Sequence, residues 1–257
     1  MKPDKIDLCL NFTCEIARQL LRNGAEMYRV EDSARRILSA YGYERYEVFA
    51  IPSSIIITVE EYGVNHTKSV RIYSSSNNLD KLEKLNHLCR VVCSERPDLE
   101  DARQQLNGIM ATPNYSPLVS YLGNGLTAFF FTLLWKGTFL DALVAFFCGL
   151  IVKAVMDNMS QMQASIFFVH ISASMFLVLV PLTLELLHAP IHADKIIIGA
   201  IMLQVPGIAI TNVMRDILVG DFLTAISKLA EVLIVAIAIA IGIALPYGLL
   251  HLLMGGV

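Results

Sequence analysis

Residues 196–221 read IIIGAIMLQVPGIAITNVMRDILVGD. From Ile196 to Met214 there is no Asp, Glu, Lys or Arg for 19 residues, close to the roughly 20 apolar residues a helix needs to cross a bilayer core of about 30 Å. Pro206-Gly207 falls a little past the middle of that run. Proline removes a backbone donor and glycine weakens a helix further, so the pattern predicts a membrane span with a kink or an unwound turn. Gln204, Thr211 and Asn212 place side-chain donors and acceptors beside it. Broken helices near mid-membrane are how secondary transporters offer backbone groups to a substrate. Proline and glycine also occur in spans for packing alone, and the residues leave both readings open.

Outward from this stretch, the chain divides. Of its 257 residues 55% are hydrophobic, against 17% charged, whereas soluble domains sit nearer 45–50% and about 25%. Residues 1–116 hold 15 basic and 16 acidic side chains, and residues 117–257 only 5 and 7. One part is therefore soluble and the other lies in a membrane. We expect residues 1–113 to form an α+β domain and residues 114–257 an all-α membrane domain of five transmembrane helices, near 118–135, 138–156, 166–186, 195–214 and 229–252. The soluble part opens MKPDKIDLCL with no apolar stretch of signal-peptide type, so it is expected to stay in the cytosol. Lys153, Arg215 and Lys228 then fall on the inner side, Lys136 and Lys195 outside, and the C-terminus faces outward.

In residues 1–113 the apolar spacing predicts helices over 4–21 and 25–40. YEVFAI, SIIITVEEY and HTKSVRIY, between Tyr43 and Tyr73, read as three strands, and Leu79–Ser94 and Leu99–Met110 as two more helices. A net charge of −3 without a basic run excludes nucleic acid as a partner. Neither a nucleophile elbow, nor a phosphate-binding glycine loop, nor a histidine-carboxylate zinc motif is present. We therefore expect no enzyme, no catalytic residues, no cofactor and no metal. Cys9, Cys14, Cys89, Cys93 and Cys148 are an odd set, four of them in a reducing compartment, and are read as free thiols.

Charged residues at special places are the candidates for function. In GAEMYRVEDSARRI, Glu26, Arg29, Glu31, Asp32, Arg35 and Arg36 put both signs at three- and four-residue spacings. This suits an ion-paired helix face or a docking or gating contact with the membrane part. Lys153 and Asp157 are four apart at the end of the second span, and Lys228 and Glu231 three apart at the start of the last. Glu231 enters apolar sequence and is expected to face the bundle interior, because an ionised group in lipid costs at least about 2.5 kcal/mol. Gly123-Asn124-Gly125 permits close helix approach, with Asn124 positioned to bond across an interface. His170 and Glu185 are further candidates. An odd number of spans means that a second copy following the first would enter with opposite topology, as in inverted-repeat transporters. No internal repeat is visible, so the membrane part reads as half of a transporter.

Together, GAEMYRVEDS near the N-terminus and PGIAITNVMRDILVGD before the last span resemble the threonine/serine exporter (ThrE) family, over essentially the whole chain. The fused form of that family has a cytosolic domain and about ten spans. This chain is similar to the larger subunit (YjjP-type) of the split form, which works with a small membrane protein of the same superfamily. The resemblance implies a multi-pass protein of the bacterial inner membrane that exports a dicarboxylate such as succinate, or threonine and serine. By position it marks Pro206, Gly207, Thr211, Asn212, Arg215, Asp216, Gly220, Asp221 and Glu231, with Gly24, Glu26, Arg29 and Glu31 as the cytosolic motif.

With Gln204 added from the residues themselves, we expect Gln204, Pro206, Gly207, Thr211, Asn212 and Arg215 along a substrate pathway. The Pro206-Gly207 break would open it, Asn212 would contact polar groups and Arg215 would attract a carboxylate. Asp216, Asp221, Glu231, Lys153 and Asp157 are expected in coupling or gating, with a proton as the coupling ion. The expected partners are the bilayer, the small second subunit and, as an alternative, further copies of the chain. The competing readings are a regulatory or assembly subunit without its own pathway and a membrane-anchored hydrolase.

Overall fold

The computed structural model describes residues 5–73 and 75–253. Residues 1–113 with 215–227 form one compact unit, and residues 114–214 with 228–257 the other.

In the first unit α1 (Lys5–Arg22) and α2 (Met27–Ala40) precede strands β1 (Arg45–Ile51), β2 (Ser54–Glu61) and β3 (Val64–Arg71). Helices α3 (Leu79–Glu95) and α4 (Leu99–Ala111) follow. The sheet is antiparallel in the order β1-β2-β3. Its period of two is visible in β2, where Ile55, Ile57 and Val59 are buried while Ile56 is exposed. The buried face joins Ile16 and Leu20 of α1, Ile37 and Leu38 of α2, Leu85 of α3 and Leu106 of α4 in one core. The second hairpin turns at Tyr62-Gly63 and β3 begins at Val64, two residues earlier than the aromatic and β-branched pattern suggests.

All five cysteines are free. Burial pushes the Cys9 and Cys14 thiols up to about 11 and Cys89 up to about 12. A thiol whose pKa lies that far above neutrality holds almost no thiolate, the reactive form. Among the four cysteines of this unit Cys93 is the partly exposed one. In the native protein at pH 7.5 a maleimide is therefore expected to label Cys93 first, with Cys9, Cys14 and Cys89 following only after unfolding. Peptide mapping of a labelling time course checks the order.

The second unit contains α5 (Pro117–Leu134), α6 (Phe139–Gln161), α7 (Ile166–Leu186) and α8 (Ala193–Ile201), then α9 (Gly207–Val219) up to Met214 and α10 (Phe222–Leu253) from Lys228, residues 215–227 being counted with the first unit. Among the described residues four helices, α5, α6, α7 and α10, are long and apolar enough to cross a membrane. The expected fourth span over 195–214 is split at the Pro206-Gly207 break that its sequence predicts. Helix α8 has 9 residues and α9 has 13, about 14 and 20 Å at 1.5 Å per residue, and neither alone covers a core of about 30 Å. The last helix starts at Phe222, so Lys228 and Glu231 lie inside it rather than at its start.

Small residues set the packing of the membrane helices. Ala128, Ala145, Cys148, Ala173 and Ala200 line the core, with Val152, Leu177 and Ile196 filling it. A Cβ on Gly149 would lie 2.8 Å from the Asn124 carbonyl oxygen, and one on Gly125 2.6 Å from the Phe146 ring. Asn124, expected to bond across an interface, donates its Nδ2 to Ser120 O of its own helix at 2.9 Å, where the preceding turn offers the nearer acceptor. Leu122, Phe130, Phe147, Leu233 and Ile237 point outward, as they do on a helix surface solvated by lipid.

Candidate functional site

The interruption between α8 and α9 follows from local chemistry. Leu203 N–H bonds Ala200 O at 3.2 Å and Gln204 N–H bonds Ile201 O at 2.9 Å, tightening the end of α8. Pro206 has no N–H to continue the ladder, and its ring drives Val205 out of the helical region. The helix restarts when Ile210 N–H reaches Pro206 O at 3.0 Å. Residues 202–206 are left non-helical among the membrane helices.

Gln204, in that link, is 3% exposed. Its Oε1 accepts from Ser174 Oγ at 3.1 Å and faces His170 Nδ1 at 3.2 Å. Because a carbonyl oxygen can only accept, the His170 proton must sit on Nδ1. His170 and Ser174, four apart on one face of α7, are 8% and 0% exposed. Ser174 carried no sequence signal. Only its position one helical turn from His170 could have pointed to it.

Of the other expected pathway residues, Thr211 is exposed and its hydroxyl bonds back to Gly207 O of its own helix at 3.0 Å. Asn212 is half-buried. Arg215 belongs to the first unit, where its guanidinium is paired with the carboxylate of Glu26. Glu26 sits at the N-cap of α2 without a side-chain cap bond and also holds Arg29 Nε at 3.0 Å. The two charged sequence motifs thus meet at one carboxylate. Glu31 has a structural occupation: Oε1 accepts from Ala50 N–H at 3.0 Å and Oε2 from Arg35 at 2.9 Å, clamping α2 to β1. Asp32 pairs with Arg36 at 2.8 Å on the exposed face.

Two glycines of the motifs close helices. Gly220, at φ 89°, ends α9: its N–H bonds Ile217 O at 3.1 Å and Asp221 N–H bonds Asp216 O at 2.9 Å, a Schellman closure. Gly24, at φ 98°, ends α1 in the same way through Leu21 O and Leu20 O. There, a Cβ would also lie 2.6 Å from Asn77 Oδ1. Asp221 then caps α10, with Oδ1 accepting from Thr224 N–H at 3.2 Å. Gly220→Ala is expected to cost about 1–2 kcal/mol through its left-handed backbone and Asp221→Ala about 1 kcal/mol through the lost cap. Thermal unfolding in detergent measures both.

Asp216 is buried. Lys153 and Asp157 pair at 2.6 Å on one face of α6. Glu231, expected to face the bundle interior, is exposed although it shares the helix face of Val235 and Ala238, four and seven residues on. The buried stripe of α10 resumes at Val232 and runs through Val235, Ala238 and Ile239, whereas Leu229, Ala230 and Glu231 are all exposed, so the turn that carries Glu231 is left uncovered by the rest of the chain.

A second polar cluster, built on the buried Asp141, escaped the sequence reading. Thr138 and Asp141 form a capping box at the start of α6. The same carboxylate accepts from His192 N–H at 2.8 Å and pairs with His192 Nδ1 at 3.0 Å, fixing the entry to α8. The spacing T-x-x-D signals the box, but the partner 51 residues on does not show in sequence. Among the described residues no group of three or more His, Cys, Asp or Glu is placed to hold a metal ion.

Comparison with known proteins agrees with these elements. The family described as "Putative threonine/serine exporter" (ThrE) matches residues 11–250, which takes in both motifs, the split helix and most of α10. No curated protein and no solved structure matches the chain. The match covers nearly the whole length, so the chain belongs to the ThrE family of transporters.

Proposed function

We propose that the chain is one subunit of a proton-driven secondary transporter of the bacterial inner membrane that exports a small carboxylate, succinate-like or a hydroxy amino acid such as threonine or serine. The observation that carries this reading is the interruption between α8 and α9, which leaves residues 202–206 non-helical and the side chain of Gln204 buried among membrane helices. Irregular backbone at membrane depth is tolerated where it is buried in protein or lines a wet cavity, and transporters place substrates at such breaks. The split helix and the four long ones together make five crossings, with the N-terminal unit on the cytosolic side. That odd number, and the exposed carboxylate of Glu231 on α10, favour a second membrane subunit of the same superfamily over a chain working alone.

In this reading Gln204, Pro206, Gly207, Thr211 and Asn212 line the route. Arg215 attracts the carboxylate at the cytosolic end and exchanges it against Glu26. Asp216 is the coupling residue we favour, since it is buried; Asp221 caps a helix and Lys153 pairs with Asp157 on one helix face. Inverted membrane vesicles from cells expressing the chain and its partner should accumulate radiolabelled succinate or L-threonine when a pH gradient is imposed. Photolabelling by a substrate analogue should reach residues 202–212. Labelling confined to the partner would instead make this chain a regulatory subunit.

A further inference from the structure

Gln204 is bonded in an unequal way. Its Oε1 takes two partners, Ser174 Oγ and His170 Nδ1, which uses both lone pairs and fixes the plane of the amide. The amide nitrogen therefore points away from both. It is buried, and among the described residues it has no hydrogen-bond partner. A buried donor left unpaired is destabilising. Ser174 and His170 account for the amide oxygen, but among the described residues nothing accounts for the amide nitrogen. An acceptor supplied from outside the chain does.

We infer that the Gln204 carboxamide, locked by His170 and Ser174, is the donor that takes a carboxylate oxygen of the substrate inside the membrane unit. This assignment rests on the exporter reading above and adds to it the chemical group recognised and the residues that recognise it.

Three features fit. Gln204 lies in the non-helical link just before Gly207, the first residue of α9, where the N-terminal end of a 13-residue helix carries partial positive charge. A Cβ built on Gly207 meets nothing within 4 Å, so there is open space beside the link. Ser174 and His170 stand about 12 and 6 Å along α7 from its first residue at 1.5 Å per residue, which places the amide inside the span and not at its mouth. A carboxylate is also what succinate, threonine and serine have in common, and it is the strongest acceptor any of them offers. The subsite accordingly selects the class, and other contacts choose among its members.

The test uses inverted vesicles from cells expressing the full-length chain with its partner. Radiolabelled succinate and L-threonine are the probes, and threonine amide, which lacks the carboxylate, is the comparison. Gln204→Leu removes the donor. Gln204→Glu is nearly isosteric and keeps acceptors toward Ser174 and His170 while turning the outward group into an acceptor. Both are expected to lower initial flux of the transported probe at least about tenfold at equal membrane abundance, the loss of one hydrogen bond to a charged acceptor. Threonine amide should fail to compete with the wild-type protein. Unchanged flux in Gln204→Leu overturns the subsite and leaves the exporter reading standing. Wild-type flux in Gln204→Glu shows that the outward group accepts and likewise overturns the assignment; this variant also decides the matter if Gln204→Leu does not reach the membrane. A wild-type chain that moves neither probe overturns the exporter reading and the subsite with it.

Discussion

Gly199→Ala is expected to cost about 3 kcal/mol, the upper end of the range for an overpacked core. A Cβ on Gly199 would fall 2.6 Å from Thr132 Cα and 2.7 Å from Thr132 N. These are backbone atoms of α5 and cannot turn aside as the end of a flexible side chain can. Thr132 is itself fully buried, with its hydroxyl bonded to Ala128 O at 2.9 Å, so relief would require moving α5 away from α8. That separation would forfeit dispersion contacts along the whole interface. Gly123→Ala is the control: nothing lies within 4 Å of a Cβ there, and its stability should be that of the wild type or slightly higher, since alanine favours helix. Equilibrium unfolding of both variants in one detergent gives the comparison. Equal stability of Gly199→Ala and wild type would mean that α5 and α8 do not approach as closely as described.

Arg215→Ala is expected to reduce substrate flux about tenfold or more, about 1.4 kcal/mol, while the protein still assembles and elutes as wild type. Arg215 is 41% exposed and Glu26 15% exposed at the side chain. The pair is therefore partly screened, and its direct contribution to stability is small, at the low end of the ~0.5–3 kcal/mol coupling found for contacting residues. The larger effect falls on transport, because among the described residues Glu26 then keeps Arg29 as its ion-pair partner and the cation proposed to receive a carboxylate is gone. Glu26→Gln should also slow flux, and the double variant should be no slower than Arg215→Ala alone, since both act through one contact. Strict additivity of the two would show that the contact carries no coupling. Normal flux in Arg215→Ala would remove Arg215 from the mechanism.

The two motifs read differently in three dimensions than along the chain. Gly24, Gly220 and Asp221 turn out to close and cap helices, a local task for which their residue types suffice, and Glu31 clamps a strand. Glu26 and Arg215 instead meet each other. Spacing could not tell these cases apart, because an acid at i and a base at i+4 look the same whether or not a third group competes. For Glu231 the expectation rested on the cost of burying charge, which limits where an ionised group can be stable but does not say whether a neighbouring helix covers that turn. Glu231 shares the face of Val235 and Ala238, but the turn it stands on, with Leu229 and Ala230, is uncovered.

Properties carried by a residue and its near neighbours were therefore legible in one dimension. Among them are the apolar runs long enough to cross a bilayer, the alternation that makes β2 a half-buried strand, the absent N–H of Pro206 that splits a helix, and the two motifs that mark the family. Each depends on covalent chemistry or on a period of two or 3.6 residues. Contacts across the chain were not legible. Gln204 finds its partners 30 and 34 residues away, and Asp141 finds His192 across 51. Which polar groups end up facing one another depends on how helices pack, on small residues such as Gly199 and Gly149 that set the approach, and on the angle at which each helix turns its face. Those are sums over many weak, distant contacts, and no local pattern encodes them.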